Sequence, residues 1–174
     1  MNLLVIKYGG SLLDDAAHQA EFLKEIAAVA LREKVVLIHG GGKAISRAME
    51  TARLAPRFVD GLRYTDDETM DIVEQTLAGV NAGIVTALRA AGVSAEGFSG
   101  RWNHIMRAVP LADLGRVGAP EFVHKDFLRT AITRVRLPVF YPVAEDAAGA
   151  PLNITPTTSR SRWRPRFLPP RSFL

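Results

Sequence analysis

Cysteine is absent from the 174-residue chain, which excludes disulfides and thiolate metal sites. The four histidines, His18, His39, His104 and His124, follow no metal-ligand spacing, so each is assigned a structural role. No apolar run approaches the length of a membrane span, and Met1–Lys7 is too short and too soon charged for a signal peptide. A soluble, cytoplasmic protein without a membrane partner is expected. Acidic residues are missing from the last twenty positions. The formal charge of +4 would ordinarily point to nucleic acid. However, five of the 22 cationic residues and none of the 18 acids lie in 155–174, leaving 17 against 18 before them. The body of the chain is close to neutral, and no nucleic-acid partner is expected. Three motifs are also absent. A Walker loop fails because Leu37 stands where its first glycine belongs and Ala44 where its hydroxyl belongs. A dinucleotide fingerprint fails at Ile45. A hydrolase lacks its nucleophile, since no Gly-x-Ser-x-Gly occurs and Ser99 in Gly97–Arg101 is out of register.

What the sequence does contain is centred on 35–46. Val35-Val-Leu-Ile-His39 suits a strand buried on both faces, Gly40–Gly42 follows, and Lys43–Ala52 has the composition of a helix. Glycines there let the backbone approach a ligand, and the free N–H groups of a helix start favour an anion, phosphate first among them. The plainer reading, a turn and nothing more, has similar weight for a lone glycine cluster. The pattern recurs upstream. Leu3–Lys7 reads as a second buried strand, Tyr8-Gly9-Gly10-Ser11 as a second glycine turn, and 15–33 as a helix with Phe22, Ile26, Val29 and Ala30 on one face. Short buried strands alternating with helices predict an α/β fold, a mostly parallel sheet flanked by helices. Ligands of such sheets bind beyond the carboxyl ends of the strands, where both turns lie. Lys7 stands at that edge. Alone it would be an ordinary solvated flank, but beside two anion-suited turns it is a candidate counter-charge for a phosphoryl group, worth about 4 kcal/mol at ~4 Å and an effective dielectric of ~20 before desolvation.

Further on, Asp60-Gly61 between short β-prone runs predicts a two-residue hairpin that carries Arg63 on a small flap. Thr65–Glu68 reads as a capping box opening a helix, with an interruption expected at Gly79 and a second helix over 82–91. Ala95–Phe98 reads as a weak strand, and 101–123 as short antiparallel strands around Leu114–Val117. A helix is predicted over 125–134, a strand over 137–143 with prolines placing its ends, and a surface turn over 145–151. With 48% hydrophobic residues the chain can build one core, or one half of a two-lobed protein.

In this order Lys7–Gly10, His39–Gly42, Phe58–Thr65, Ser99-Gly100, Leu114–Gly118 and Pro151–Ile154 resemble the acetylglutamate kinase branch of the amino acid kinase family. The likeness runs from about Asn2 to Ile154, and its specific part is Gly-Leu-Arg-x-Thr following His-Gly-Gly-Gly. It implies an αβα sandwich of the carbamate kinase type, and transfer of a phosphoryl group from ATP with Mg2+ to the side-chain carboxylate of N-acetyl-L-glutamate, in arginine biosynthesis. By resemblance Lys7 is the catalytic cation, and the amides of Gly9, Gly10, Gly41 and Gly42 hold the phosphoryl group. Arg63 and Asn153 bind the acyl amino acid. A planar guanidinium on a flap independently suits a carboxylate. Two other readings stay open: a sister kinase for another acyl amino acid, such as carrier-linked aminoadipate in lysine biosynthesis, and a non-catalytic binding or dimer module. Arginine inhibition in the family accompanies an extra N-terminal helix, so a homodimer insensitive to arginine is expected here.

The likeness stops after Ile154. There the family continues Asn-Ala-Asp and then a nucleotide-binding lobe, whereas this chain has Thr155-Pro-Thr and a tail rich in proline and arginine. Thr155–Pro165 can be written in codons that, with one base restored at their start, encode Asn-Ala-Asp-Asp-Phe-Ala-Leu-Ala-Leu-Ala-Ala. The expectation is therefore a substrate-binding N-terminal lobe over 1–154 and an out-of-frame, disordered tail over 155–174. Such a chain would be inactive for lack of the nucleotide lobe, and its sheet would end at an uncovered edge.

Overall fold

The computed structural model describes residues 3–9 and 15–154, with Ala16 and Ala17 as backbone only. The tail reading and Gly10 lie outside the described residues. The elements follow as β1 Leu3–Tyr8, α1 Ala16–Ala30, β2 Lys34–His39, α2 Gly42–Thr51, β3 Phe58–Val59 and β4 Leu62–Arg63, then α3 Asp67–Ala90 and β5 Ala95–Ser99. After a 3-10 turn at Trp102–His104 come β6 Met106–Pro110, β7 Val117–Val123, α4 Lys125–Arg134, β8 Leu137–Tyr141, β9 Val143–Glu145 and β10 Pro151–Ile154. The fold is α/β, as the alternating pattern predicts. β1, β2, β8 and β5 form a parallel sheet in the order β1-β2-β8-β5. Valine, leucine and isoleucine make up most of β1 and β2, the composition expected of strands in a parallel sheet. On one face α1 and α3 bury Leu23, Ile26, Ala27, Ala30, Ile84, Val85 and Leu88 against Tyr8, Val35, Leu37 and Val139. On the other, α4 brings Ala131, Leu128 and Ile132 onto Val36, Phe98 and Phe140. At roughly 1.5–3 kcal/mol for each large side chain, these two layers supply most of what offsets chain entropy.

The cover stops short of β1. Leu3 is 51% exposed and Val5 61%, while their neighbour Ile6 is packed into the α1–α3 core. By alternation Leu3, Val5 and Lys7 lie on the α4 side of the sheet, and α4 does not reach them.

Several elements differ from expectation, each for a physical reason. α3 runs unbroken through Gly79 and Gly83, because both sit on its exposed side while Val73, Leu77, Asn81, Ile84 and Leu88 hold the buried face. Two exposed glycines cost about 2 kcal/mol of propensity in all, less than that face supplies. The cap is Asp66, whose carboxylate accepts from Thr69 N–H at 2.8 Å. Thr65 is fully buried instead and pairs with Gly115. On α1 the core face carries Leu23 and Ala27, and Val29 is exposed. Pro138 lies inside β8, whereas Pro142 does end that strand. The chain then crosses to a small closed barrel, β10-β7-β6-β9, filled by Ala108, Ala144, Leu152 and Ile154. β6 and β7 fall within the antiparallel strands expected over 101–123, whereas β9 and β10 flank the surface turn expected over 145–151.

Candidate functional site

Both glycine turns leave the sheet at its carboxyl edge, where β1 and β2 end side by side with Tyr8 opposite His39. Gly40 N–H donates to the Tyr8 carbonyl at 3.0 Å, so the two turns are tied together. Gly41 is the N-cap of α2, with φ −178° and no side chain capping the helix. A Cβ at Gly41 would lie 2.7 Å from Leu77 Cδ2, so glycine here serves the close approach of α3. The positive end of the α2 dipole is therefore left for an anion.

A buried polar bridge supports this turn from beneath. Asn81 Nδ2 donates to the Val139 carbonyl at 3.0 Å and lies 3.1 Å from His39 Nε2. Because the carbonyl can only accept, Nδ2 is the amide nitrogen, and His39 Nε2 must offer its lone pair. That network assigns the imidazole proton to Nδ1, which donates to the Gly40 carbonyl at 2.8 Å. Burial pushes the His39 pKa below its usual range, and the Gly40 hydrogen bond partly opposes this. His39 is thus neutral and structural, aiming the first glycine carbonyl inward.

Arg63 comes from the predicted hairpin. Asp60 and Gly61 have φ of 50° and 79°, the two positive values that a type I′ turn requires. The short β3–β4 ladder sets Arg63 opposite Phe58, and the guanidinium lies 4.9 Å from the Phe58 ring centroid. Its other side meets α2. Nη2 donates to the Gly42 carbonyl at 3.0 Å and to Ser46 Oγ at 2.8 Å, and Nη1 points to Met49 Sδ at 3.1 Å. Burial lowers the Arg63 pKa, yet arginine stays charged. A cation is thus held beside the anion-suited turn.

Thr65 joins this cluster to the barrel. Its hydroxyl donates to the Arg63 carbonyl at 3.0 Å and faces Asn153 Nδ2 at 3.4 Å. Arg116 N–H donates to the Thr65 carbonyl at 2.5 Å, and Asn153 N–H donates to the Arg116 carbonyl at 2.8 Å. Gly115, at φ 66°, lets that crossing happen, since a Cβ there would fall 2.2 Å from the Thr65 carbonyl oxygen. The Arg116 side chain is turned outward to Asp67, whose carboxylate hydrogen-bonds its Nε at 2.5 Å and raises the guanidinium pKa.

Of the residues singled out in the sequence, Gly41, Gly42, Arg63 and Asn153 fall in one connected cluster running Gly42–Arg63–Thr65–Asn153. Gly9 follows β1 at the same sheet edge, in open space. Lys7 is also at that edge but on the face opposite Tyr8, exposed, and among the described residues its side chain makes no hydrogen bond or ion pair. Sequence reasoning gave no site role to Ser46, Met49, Asn81 or the backbone of Arg116, and read Thr65 as a helix cap. Only Ser46 had a readable signal, one helical turn beyond Gly42.

Comparison with known proteins agrees with the α/β fold. Residues 2–159 match the model of the Amino acid kinase family. The acetylglutamate kinase of Roseiflexus sp. (strain RS-1) is 44% identical over 156 residues, covering 87% of this chain and 59% of that protein. The acetylglutamate kinase of Endomicrobium trichonymphae is 36% identical over 157 residues, covering 90% and 63%. The chain thus spans about 60% of the length of these curated relatives. Among solved structures, smu.665 from Streptococcus mutans UA159 superposes with a TM-score of 0.75 at 27% identity, over 87% of this chain and 63% of that one. An N-acetylglutamate synthase from Neisseria gonorrhoeae, complexed with coenzyme A and N-acetyl-glutamate, shares the fold at a TM-score of 0.72 and 21% identity, over 87% and 36%.

Proposed function

The chain belongs to the amino acid kinase family, and on that premise we propose that it forms the acyl-amino-acid-binding part of an acetylglutamate kinase. The observation that carries the reading is Arg63, caught between the Phe58 ring and the first turn of α2, with Nη2 3.0 Å from the Gly42 carbonyl. One short stretch therefore offers a planar two-pronged cation for a carboxylate and, beside it, backbone amides for a phosphoryl group. The names of the relatives supply N-acetyl-L-glutamate as the ligand.

In this reading Arg63 binds the α-carboxylate, Asn153 assists, and the acyl amino acid lies with its side-chain carboxylate toward the glycine turns. The amides of Gly9, Gly10, Gly41 and Gly42 face the phosphoryl group, and Lys7 neutralises the charge that develops there. A side-chain carboxylate oxygen attacks the γ-phosphorus of ATP, the bond to the β-phosphate oxygen breaks, and an acyl phosphate and ADP result. Such chemistry asks for positioning and charge rather than a protein nucleophile. Glycine amides and a lysine fit a phosphoryl group. No cluster of three acidic or histidine side chains able to hold a cation occurs among the described residues, so Mg2+ is taken to arrive on the nucleotide's phosphates. Phosphoryl transfer is proposed for a protein of the relatives' full length. The same proposal carries a lobe boundary at Ile154, a homodimer and a cytoplasmic location.

Calorimetric titration of N-acetyl-L-glutamate into the 174-residue protein tests the binding half. We expect saturable binding that Arg63→Ala weakens about 100-fold, because truncating one side of a desolvated charge pair strands the other. N-acetyl-L-aspartate and N-acetyl-2-aminoadipate run beside it test chain length. An Arg63→Ala protein that binds like the parent, or equal affinity for all three acids, would remove the assignment.

A further inference from the structure

We infer that Ser46 is a positioning residue whose hydroxyl holds the Arg63 guanidinium against the first turn of α2 and so selects ligands carrying an α-carboxylate. The inference rests on the reading of Arg63 given above and extends it to a residue outside the resemblance. Ser46 Oγ donates to the Gly42 carbonyl at 3.1 Å and receives Arg63 Nη2–H at 2.8 Å. The direction of both bonds is forced. Arginine has no acceptor and a carbonyl has no donor, so the single hydroxyl proton goes to Gly42 and a lone pair faces Arg63. Nη2 also reaches the Gly42 carbonyl directly, at 3.0 Å, which closes a three-membered ring of hydrogen bonds.

The site needs such a ring. Arg63 is a cation set beside a helix N-terminus, where the helix dipole repels it, and that end has no side-chain cap. Met49 Sδ is a weak acceptor, and the Phe58 ring lies on a hairpin of two-residue strands. The strong acceptors that keep the guanidinium in place are therefore the Gly42 carbonyl and Ser46 Oγ. Without the hydroxyl, the four-bond side chain regains rotamers that binding must freeze again. The serine has no compensating value as a helix residue, since alanine is the better helix former at a half-buried interior position. Its presence is explained by what it holds.

The test compares two probes on the 174-residue protein: N-acetyl-L-glutamate, and 4-acetamidobutyrate, the same skeleton without the α-carboxylate. NMR titration is used for both because it reaches millimolar affinities. Ser46→Ala is expected to weaken N-acetyl-L-glutamate about tenfold, in keeping with the loss of one hydrogen bond to a charged group. It should leave 4-acetamidobutyrate within twofold and thermal stability unchanged or slightly raised. Ser46→Thr, which keeps the hydroxyl, should restore most of the affinity. Equal weakening of both probes would mean a merely structural serine and would overturn the inference, as would undiminished binding of N-acetyl-L-glutamate. Parent protein that binds no N-acetyl-L-glutamate would sink the site reading itself. Binding that responds to Arg63→Ala and not to Ser46→Ala would sink only the role of Ser46.

Discussion

Replacing Gly97 by alanine should unfold the centre of the molecule through a residue that alanine does not belong beside. A Cβ at Gly97 would stand 1.7 Å from Asn81 Oδ1 and 2.9 Å from its Cγ. A side-chain end can ordinarily swing away at little cost. Asn81 cannot, because its amide is buried and tied to the Val139 carbonyl at 3.0 Å and to His39 Nε2 at 3.1 Å. Moving it strands a buried carbonyl and a buried imidazole nitrogen, each at about 1–3 kcal/mol, so Gly97→Ala should cost roughly 2–6 kcal/mol in urea unfolding at pH 7.5. The magnitude can be separated from any general intolerance of β5. Asn81→Ala should itself destabilise by a similar amount, but in that background the new methyl meets open space, and Gly97→Ala should then cost under about 0.5 kcal/mol. A coupling of at least ~2 kcal/mol is the expected result. Additive losses from the two changes would refute the argument that Asn81, rather than the strand backbone, makes glycine necessary at 97.

Two further outcomes follow from neighbouring contacts. Gly115→Ala should destabilise by more than 2 kcal/mol, since it forces alanine to φ 66° and drives Cβ to 2.2 Å from the Thr65 carbonyl; an unfolding midpoint equal to the parent's would contradict the observed crossing. The His39 imidazole, held below its ordinary range by burial, disfavours the proton in the folded state. The unfolded chain therefore takes it up first, and stability should be level above the unfolded value of ~6.5, fall as pH drops through it, and stop falling below the folded pKa. His39 ring signals followed by NMR that titrate at or above 6.5 would reverse that sign.

Local chemistry is what the sequence states openly. Asp60-Gly61 announces its hairpin because only a few residues accept two successive positive φ values, and Lys125–Arg134 is found where the pattern put it. Where tertiary contacts decide, local signals mislead. Gly79 is a fair breaker by propensity, yet α3 passes through it because Leu77 and Asn81 are anchored in different parts of the core. Thr65 has the profile of a cap, but the barrel claims it through Gly115 and Arg116, and Asp66 takes over the helix. Closure of the barrel depends on the parallel pairing of Arg107 with Glu145 and on the β7–β10 ladder, contacts between distant positions that no window of sequence contains. The site divides in the same way. Glycine turns and a flap arginine carry visible composition, whereas the residues that hold them, Ser46, Asn81 and Thr65, are ordinary polar side chains until the fold puts acceptors beside them.

That division also says which half of the cluster should move. α2 is fixed: Ile45 and Met49 are buried with Met70, Val73, Leu77 and Val143, and Leu77 occupies the space that a Cβ at Gly41 would need. The glycine turn rests on His39 and Asn81, whose buried groups are all paired. By contrast the β3–β4 hairpin has two residue pairs, an exposed Phe58, and little apolar burial of its own. Short ladders with few buried contacts open at a small fraction of the global unfolding energy. Arg63 is then the main tie between flap and helix, made of two hydrogen bonds to oxygen and one to sulfur. A carboxylate bound as proposed meets an arginine already held by the Gly42 carbonyl and Ser46 Oγ, so binding adds a charge-assisted pair and need not order the side chain from solution. Opening of the flap thus breaks the bonds that hold Arg63, while α2 and the glycine turn stay packed.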